Sequence, residues 1–84
     1  MNLANTVLLI TGGTGSFGHA VLDRFLTTDI REIRILSRDE KKQDDMRHAY
    51  QKWNPQYADK IKFYIGDVRD YNSILNAFRG VDYV

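Results

Sequence analysis

The sequence predicts an α/β fold in which helices cover both faces of a parallel sheet, and three observations indicate this. Residues 7–10 form a continuous apolar run, which is typical of a strand buried on both faces, as parallel strands are. A glycine-rich turn follows at once, with glycines at positions 12, 13, 15 and 18. Strand-like and helix-like segments then alternate to the last residue, which is the pattern of successive β-α-β units.

Composition excludes several classes of protein. The 84 residues are 43% hydrophobic and 27% charged, which is typical of a soluble globular chain rather than a disordered one. A net charge of +1 with no concentrated basic face argues against nucleic-acid binding. There is no cysteine for a disulfide or a thiolate metal site. No apolar run approaches the roughly 18 residues of a membrane span, and residues 1–5 lack the features of a signal peptide. We therefore expect a cytoplasmic protein with no nucleic-acid or membrane partner.

The glycines after the first strand fit two overlapping patterns, Gly12-x-x-Gly15-x-x-Gly18 and Gly13-x-Gly15-x-x-Gly18. Glycine lets the backbone turn sharply and lets a pyrophosphate approach the amides at the start of the next helix, while Gly18 allows that helix to pack close to the strand. The helix N-terminus adds free N–H donors and a positive dipole end. The pattern predicts a dinucleotide cradle of the Rossmann type.

A complete Rossmann domain has six strands, and 84 residues do not supply them. We therefore expect residues 1–84 to be the N-terminal part of a truncated NAD(P)-binding domain, with the substrate domain absent.

The first half of the chain predicts a helix over 16–27, a strand over 32–36 and a second helix. The first helix carries its apolar stripe at four-residue spacing. The second strand alternates polar and apolar residues, which predicts cover mainly on one face. Ser37-x-x-Glu40 has the form of a capping box and predicts the start of the second helix. That helix presents a narrow apolar seam of Met46, Ala49, Tyr50 and Trp53, and it ends at Asn54-Pro55.

The second half predicts a third strand over 61–65, with Ile61, Phe63 and Ile65 on one face. Asp70 is expected to cap a third helix, and Gly80 fits the left-handed position just past its end. The residues of this helix expected to face the sheet are Tyr71, Ile74, Leu75 and Phe78. Residues 81–84 begin a fourth strand, which gives a sheet of order 3-2-1-4 with the first strand inside.

The end of the second strand distinguishes NADP from NAD. An NAD site needs a carboxylate about 20 residues past the last glycine, to accept hydrogen bonds from the ribose hydroxyls. That count reaches Ser37 and Arg38, which suit a 2′-phosphate, and Lys42 lies one helical turn further on. NADP is therefore favoured. Asp39 or Glu40 turning inward to the ribose is the alternative, in which Arg38 is an ordinary surface charge.

Asp67 follows the third strand, at the rim of the crevice where an adenine is expected. Its carboxylate is suited to accept from the adenine amino group, with the Val68 backbone pairing beside it. The alternative is a turn-forming Asp that precedes the third helix.

Three blocks resemble extended short-chain dehydrogenase/reductases of the bacterial polysaccharide-biosynthesis group, which comprises UDP-N-acetylglucosamine 4,6-dehydratases and 4-epimerases. They are LITGGTGSFG at 9–18, IRILSRDEKKQDDMR at 33–47, and KFYIGDVRD at 62–70 with VDYV at 81–84. The resemblance implies NADP as cofactor. It places the pyrophosphate on Gly12, Thr14, Gly15, Ser16, Phe17 and Gly18, the 2′-phosphate on Ser37, Arg38 and Lys42, and the adenine on Asp67 and Val68.

The resemblance also implies hydride removal from C4 of a UDP-sugar. A dehydratase then eliminates water across C5 and C6, with C5 epimerisation in inverting members, whereas a 4-epimerase returns the hydride to C4 from the other face. The acid-base residues of the family follow the fourth strand, so we expect no catalytic residue within this chain and no activity from it alone. A homo-oligomeric parent is expected. A non-catalytic dinucleotide sensor on the same fold is a further alternative.

Overall fold

The computed structural model describes residues 3–12, 15–67 and 69–84. The strands are β1 (Val7–Thr11), β2 (Glu32–Ser37) and β3 (Ile61–Ile65), and the helices are α1 (Ser16–Leu26), α2 (Glu40–Trp53) and α3 (Tyr71–Phe78). A short 3-10 turn, Ala58–Lys60, precedes β3. The alternation of strands and helices predicted from the sequence is confirmed, and no element predicted within the described ranges changes type. None of the helices in these ranges is long and apolar enough to span a membrane.

The three strands form one parallel sheet in the order β1-β2-β3. Thr11 lies beside Leu36, and Ser37 lies beside Ile65, so the carboxyl ends of all three strands meet at one edge. On the other side of β1 the chain returns as a single parallel bridge between Leu8 and Tyr83. The order of these three strands is the predicted one, whereas a full fourth strand stays a prediction.

Two hydrophobic clusters lie on opposite faces of the sheet, one beneath α1 and α2 and the other beneath α3. The larger cluster consists of Ile10, Leu22, Leu26, Ile30, Ile33, Ile35, Met46, Tyr50 and Ile61. The smaller one consists of Leu9, Leu36 and Ala77, with Tyr64, Ile74 and Val81 packed against it. The fold therefore has helices on both faces. Over 32–35, β2 alternates half-buried and buried residues as predicted, but Leu36 is buried in the smaller cluster on the other face, so the cover of this strand is not confined mainly to one face.

The start of α2 differs from the predicted capping box. Ser37 is still part of β2, so it lies too early to be the N-cap. Asp39 is the N-cap, and its Oδ1 accepts from the Lys42 amide at 3.0 Å. The Ser37 hydroxyl instead accepts from the Asp39 amide at 2.9 Å, which fixes the turn between strand and helix.

The buried side of α2 is also displaced from the predicted seam. Met46 and Tyr50 are buried as expected, but Ala49 is exposed and Trp53 is 71% exposed. The third buried residue is Gln43, so the seam follows the spacing 43, 46, 50. Trp53 lies at the end of the helix beyond the sheet, with the Lys52 ammonium 5.0 Å from its ring centroid.

α3 packs on the sheet through Ala77 and Ile74, so of the four residues predicted to face the sheet only Ile74 does so. Ala77 is its buried residue and Ile74 is half-buried, whereas Tyr71, Leu75 and Phe78 are exposed. The reason is close approach, because a Cβ placed on Gly66 would lie 2.8 Å from the Ser73 carbonyl oxygen. The two predicted ends of the helix are confirmed. The Asp70 carboxylate accepts from the Asn72 amide at 3.2 Å, and Gly80 has a φ of +75°.

The β3 face is covered only in part. Ile61 is buried and Phe63 is half-buried under the Arg47 guanidinium, but Ile65 is 51% exposed. Ile65 lies at the end of an edge strand, where α2 covers the sheet less fully. Burial along the face that Ile61, Phe63 and Ile65 were predicted to share therefore decreases toward the end of β3.

Candidate functional site

A cleft of about 900 Å³ opens at the carboxyl ends of the three strands. Ligands of open α/β sheets bind in this position, outside the carboxyl ends of parallel strands. The cleft is lined by Gly12, Leu36, Ser37, Arg38, Asp39, Glu40, Gly66, Asp67 and Arg69. Four residues of the predicted site, Gly12, Ser37, Arg38 and Asp67, are thereby brought together. Thr14 and Val68 lie outside the described residues.

Gly12 turns the chain out of the sheet and toward α1. Its amide donates to the Leu36 carbonyl at 2.9 Å, and its own carbonyl accepts from the Gly15 amide at 3.2 Å. Its φ is +63°, in the left-handed region that favours glycine, and a Cβ here would meet nothing within 4 Å. Gly12 is therefore required by backbone conformation, and the space beside it is open.

α1 begins on a glycine, whereas α2 and α3 begin on capping aspartates. An α-helix leaves its first four amides without acceptors inside the helix. Gly15, the N-cap of α1, has no side chain that could accept from them, and the first turn holds no acidic residue. Ser16 and Phe17 are exposed there, and Gly18 is buried. Residues 15–18 adjoin the cleft but do not line it. The free backbone amides at this end of α1 can donate hydrogen bonds to an anion.

Arg38 reaches the cleft from the end of β2. Its side chain is 67% exposed, and its Nη1 lies 3.5 Å from Asp67 Oδ2. Ser37 is buried behind it, with its carbonyl accepting from the Gly66 amide at 3.1 Å. Lys42 is exposed in the first turn of α2 and is not part of the cleft lining. Of the three residues predicted to hold a 2′-phosphate, Arg38 is the one that presents its charge to the cleft.

Asp39 and Glu40 are the carboxylates that an NAD site would use, and they differ in their hydrogen bonding. Asp39 Oδ1 accepts from the Lys42 amide as the cap of α2. Glu40 is exposed at the start of that helix and lines the cleft. The Asp39 carboxylate is therefore committed to the helix rather than turned toward a ribose.

Asp67 is held by an arginine that the sequence analysis did not single out. Arg69 Nη2 lies 2.9 Å from Asp67 Oδ2, Arg69 Nε contacts both carboxylate oxygens, and the Arg69 amide donates to Oδ1 at 2.9 Å. These hydrogen bonds hold the pKa of Asp67 well below its usual range, so the carboxylate is ionised at neutral pH. The sequence signal for this pair was the spacing Asp67-x-Arg69 directly after a strand. When the chain turns there, side chains two residues apart come close enough to form an ion pair.

Gln43 is the second functional residue that the sequence analysis missed. It is 1% exposed, and its Nε2 donates to the Tyr64 carbonyl at 2.7 Å and to the Ser37 carbonyl at 3.4 Å. One side chain of α2 thus ties together the ends of β2 and β3, which form the floor of the cleft. The sequence signal for Gln43 was its position three residues before Met46 and seven before Tyr50, which places a polar residue on the buried side of the helix.

Tyr50 joins α1 to α2 on the same face of the sheet as Gln43. Its hydroxyl donates to the Asp23 carboxylate, and the His19 ring stacks on it at 6.3 Å. Burial, together with the hydrogen bond and charge of Asp23, raises the pKa of Tyr50 well above its usual range. The Tyr50 hydroxyl therefore links the two helices as a neutral donor. Within the described ranges, no group of three or more His, Cys, Asp or Glu is placed to hold a metal ion.

Known sequences resemble this chain strongly. The family described as polysaccharide biosynthesis protein matches residues 8–84. Proteins named UDP-glucose 4-epimerase are 69% identical in Rickettsia bellii (strain RML369-C) and 67% identical in Rickettsia akari (strain Hartford), each over 81 residues. Each alignment covers 92% of this chain and 22% of the relative, so the chain spans about a fifth of the length of these relatives.

Solved structures resemble the fold. Pen from Bacillus thuringiensis matches with a TM-score of 0.85 and 30% identity, over 100% of this chain and 24% of that one. A citronellol catabolism dehydrogenase from Pseudomonas aeruginosa PAO1 matches with a TM-score of 0.69 and 11% identity, over 89% of this chain and 29% of that one. At that identity the second match supports the fold alone.

Gln43→Leu is expected to lower the free energy of unfolding by about 1–3 kcal/mol, because it leaves the Tyr64 carbonyl without its buried donor. Urea denaturation followed by circular dichroism measures this change. Gln51→Leu, on the exposed side of the same helix, is the matched control and is expected to shift stability by less than about 0.5 kcal/mol. Equal stability of the two variants would contradict the role assigned to Gln43.

Proposed function

The chain belongs to the polysaccharide biosynthesis protein family, and from that premise we propose that it is the NADP-binding part of an enzyme that modifies a nucleotide sugar. One observation carries the proposal. The cleft at the carboxyl ends of the strands is lined by Gly12 and by the Arg38 guanidinium, and the uncapped start of α1 adjoins Gly12 through the hydrogen bond from the Gly15 amide. These are the two kinds of group that a phosphorylated dinucleotide needs.

The residues present fit such a cofactor. The open space beside Gly12 and the uncapped start of α1 suit the pyrophosphate, with Gly15, Ser16 and Phe17 supplying backbone amides. A Cβ on Gly15 would lie 3.7 Å from the Gly12 carbonyl, which is an ordinary contact. The fold therefore does not require glycine at this position, and we attribute the glycine to the space that a ligand needs. Gly18 lets the helix lie close to the sheet.

Arg38 favours NADP over NAD. A guanidinium binds a 2′-phosphate with two parallel hydrogen bonds, and it offers no acceptor to ribose hydroxyls. The competing carboxylate of Asp39 is engaged as the cap of α2. In this proposal Ser37 and Lys42 support the phosphate from behind and from the first turn of α2, and Asp67 with the Val68 backbone serves the adenine.

The nicotinamide supplies reversible hydride transfer with C4 of the sugar when the cofactor is bound. This chain's own part is to bind and orient it: α1 holds the pyrophosphate, and Arg38 sets the position of the adenosine ribose. No described residue is assigned a proton transfer.

The relatives named UDP-glucose 4-epimerase support return of the hydride to C4, which inverts that carbon. The second candidate is a UDP-N-acetylglucosamine 4,6-dehydratase that also epimerises C5, supported by the sequence blocks 33–47 and 62–70. Both reactions begin with hydride removal from C4, which gives a 4-keto sugar, so the same cofactor site serves either one.

The full-length protein that contains this chain is expected to convert UDP-glucose or UDP-N-acetylglucosamine to its C4 epimer when supplied with NADP. Proton NMR of the sugar measures the product. In D₂O, a dehydratase would instead give a 4-keto-6-deoxy sugar with deuterium at C5. Cofactor binding without either product would overturn the enzymatic proposal and favour a dinucleotide sensor.

Arg38→Ala is expected to weaken NADP binding by about 1.5–3 kcal/mol, because charged hydrogen bonds to the 2′-phosphate are lost, and to leave NAD binding nearly unchanged. Calorimetric titration of both cofactors at one salt concentration measures the difference. Arg31→Ala removes the same charge at the opposite end of β2 and is the control. An equal loss for both cofactors would contradict the phosphate assignment.

Gly15→Val is expected to abolish binding of both cofactors while leaving the circular dichroism spectrum unchanged. The backbone at Gly15, with φ −85° and ψ 177°, is extended and accepts a side chain, so the added atoms occupy ligand space. Normal affinity in this variant would show that the pyrophosphate lies elsewhere.

A further inference from the structure

Asp67 lies between two guanidinium groups at the mouth of the cleft, and its contacts with them differ in number and distance. Arg69 binds it closely, with Nε and Nη2 within 3.2 Å of the carboxylate oxygens. Arg38 makes a single looser contact, at 3.5 Å. A carboxylate has room for both, but the multiple, aligned bonds to Arg69 are the stronger ones.

The position of Asp67 is fixed from behind. The Ser73 hydroxyl accepts from the Asp67 amide at 3.1 Å, and its proton can be donated to the Asp70 or the Asp67 carbonyl oxygen, which lie 2.9 and 3.1 Å from the hydroxyl oxygen. Gly66 packs against the backbone of α3 so closely that a Cβ would not fit. The Asp67 side chain is also the most shielded of the three charged groups, at 29% exposure against 67% for Arg38 and 75% for Arg69. The backbone that carries this carboxylate is therefore held in place beside Arg38.

A fixed carboxylate beside Arg38 competes with any anion for that guanidinium. It also repels the anion directly, since two negative charges a few ångströms apart interact unfavourably even near the protein surface. Arg69 offsets both effects, because it neutralises Asp67 and donates to both of its oxygens, including the Oδ2 that Arg38 approaches. The charge of Arg38 is then not cancelled by Asp67 when a phosphate enters.

We propose that Arg69 is a specificity-determining positioning residue, which holds Asp67 so that Arg38 is available to the 2′-phosphate of NADP. This inference rests on the proposed function. Arg69 acts through Asp67 and Arg38 and is not assigned a contact with the cofactor.

The test compares NADP and NAD affinity, by calorimetric titration at low ionic strength, for a set of variants of the full-length protein that contains this chain. Arg69→Ala is expected to weaken NADP binding about fivefold, as expected for the loss of an exposed ion pair, and NAD binding by less than about twofold. Arg69→Lys is expected to retain part of the preference. The effect is expected to shrink in high salt, because these groups are solvent-exposed.

The decisive variant is Arg69→Ala combined with Asp67→Asn, which removes the competing charge and is expected to restore the NADP-to-NAD affinity ratio. Any contact of Asp67 with the adenine cancels in that ratio, since both cofactors carry the same adenine. Circular dichroism and thermal unfolding verify that each variant is folded, and Arg31→Ala is again the charge-matched control.

Three results would overturn the inference: an unchanged ratio in Arg69→Ala, an equal loss for both cofactors, or no restoration in the double variant. If Arg38→Ala removes the preference for NADP and Arg69→Ala does not, only the role of Arg69 is wrong. If the unsubstituted chain shows no preference and Arg38→Ala has no effect, the proposed phosphate site fails, and this inference fails with it.

Discussion

The hydrogen-bond ladder of the sheet continues one residue past the ends of β1 and β3, and the cleft depends on it. The Gly12 amide donates to the Leu36 carbonyl, and the Gly66 amide donates to the Ser37 carbonyl. Each glycine is thus the last member of the ladder on its side of β2. From there Gly12 turns outward with a positive φ, and Gly66 makes room for α3. The hydrogen bonds of Gly12 and Gly66 to β2 thus bring the ends of the three strands together at the base of the cleft.

The walls of the cleft are set by polar side chains that come from opposite faces of the sheet. Gln43, on α2, fixes the separation of the ends of β2 and β3 through the Ser37 and Tyr64 carbonyls. Ser73, on α3, holds the backbone of Asp67. The apolar clusters beneath the helices determine which faces meet, but these few hydrogen bonds determine where the charged groups stand. Apolar packing therefore determines the fold, and the polar contacts determine the geometry of the site.

The strands, the glycine turn and the helix ends at Asp70 and Gly80 could be predicted because their signals are local. The N-cap of α2 could not, because Ser37 remains in β2 through its pairing with β3, and that pairing joins residues far apart in sequence. The predicted seam includes Trp53 and omits Gln43 because it follows hydrophobicity alone. Burial of Gln43 is favourable because the Ser37 and Tyr64 carbonyls accept from its amide, and the helical spacing of Gln43 does not by itself show that these acceptors are there.

Charge in the cleft follows from how its carboxylates are partnered, not from how many there are. Asp39, Glu40 and Asp67 outnumber Arg38 and Arg69 in the lining, so a simple count would predict a site that repels anions. The structure assigns Asp39 to the amide of a helix and Asp67 chiefly to Arg69. Arg38 is left with one loose contact and most of its surface in solvent. An anion site can therefore form in a cleft with more acids than bases, provided that the acid beside the basic group is bound by another partner, as Asp67 is by Arg69, while Glu40 stays exposed to solvent.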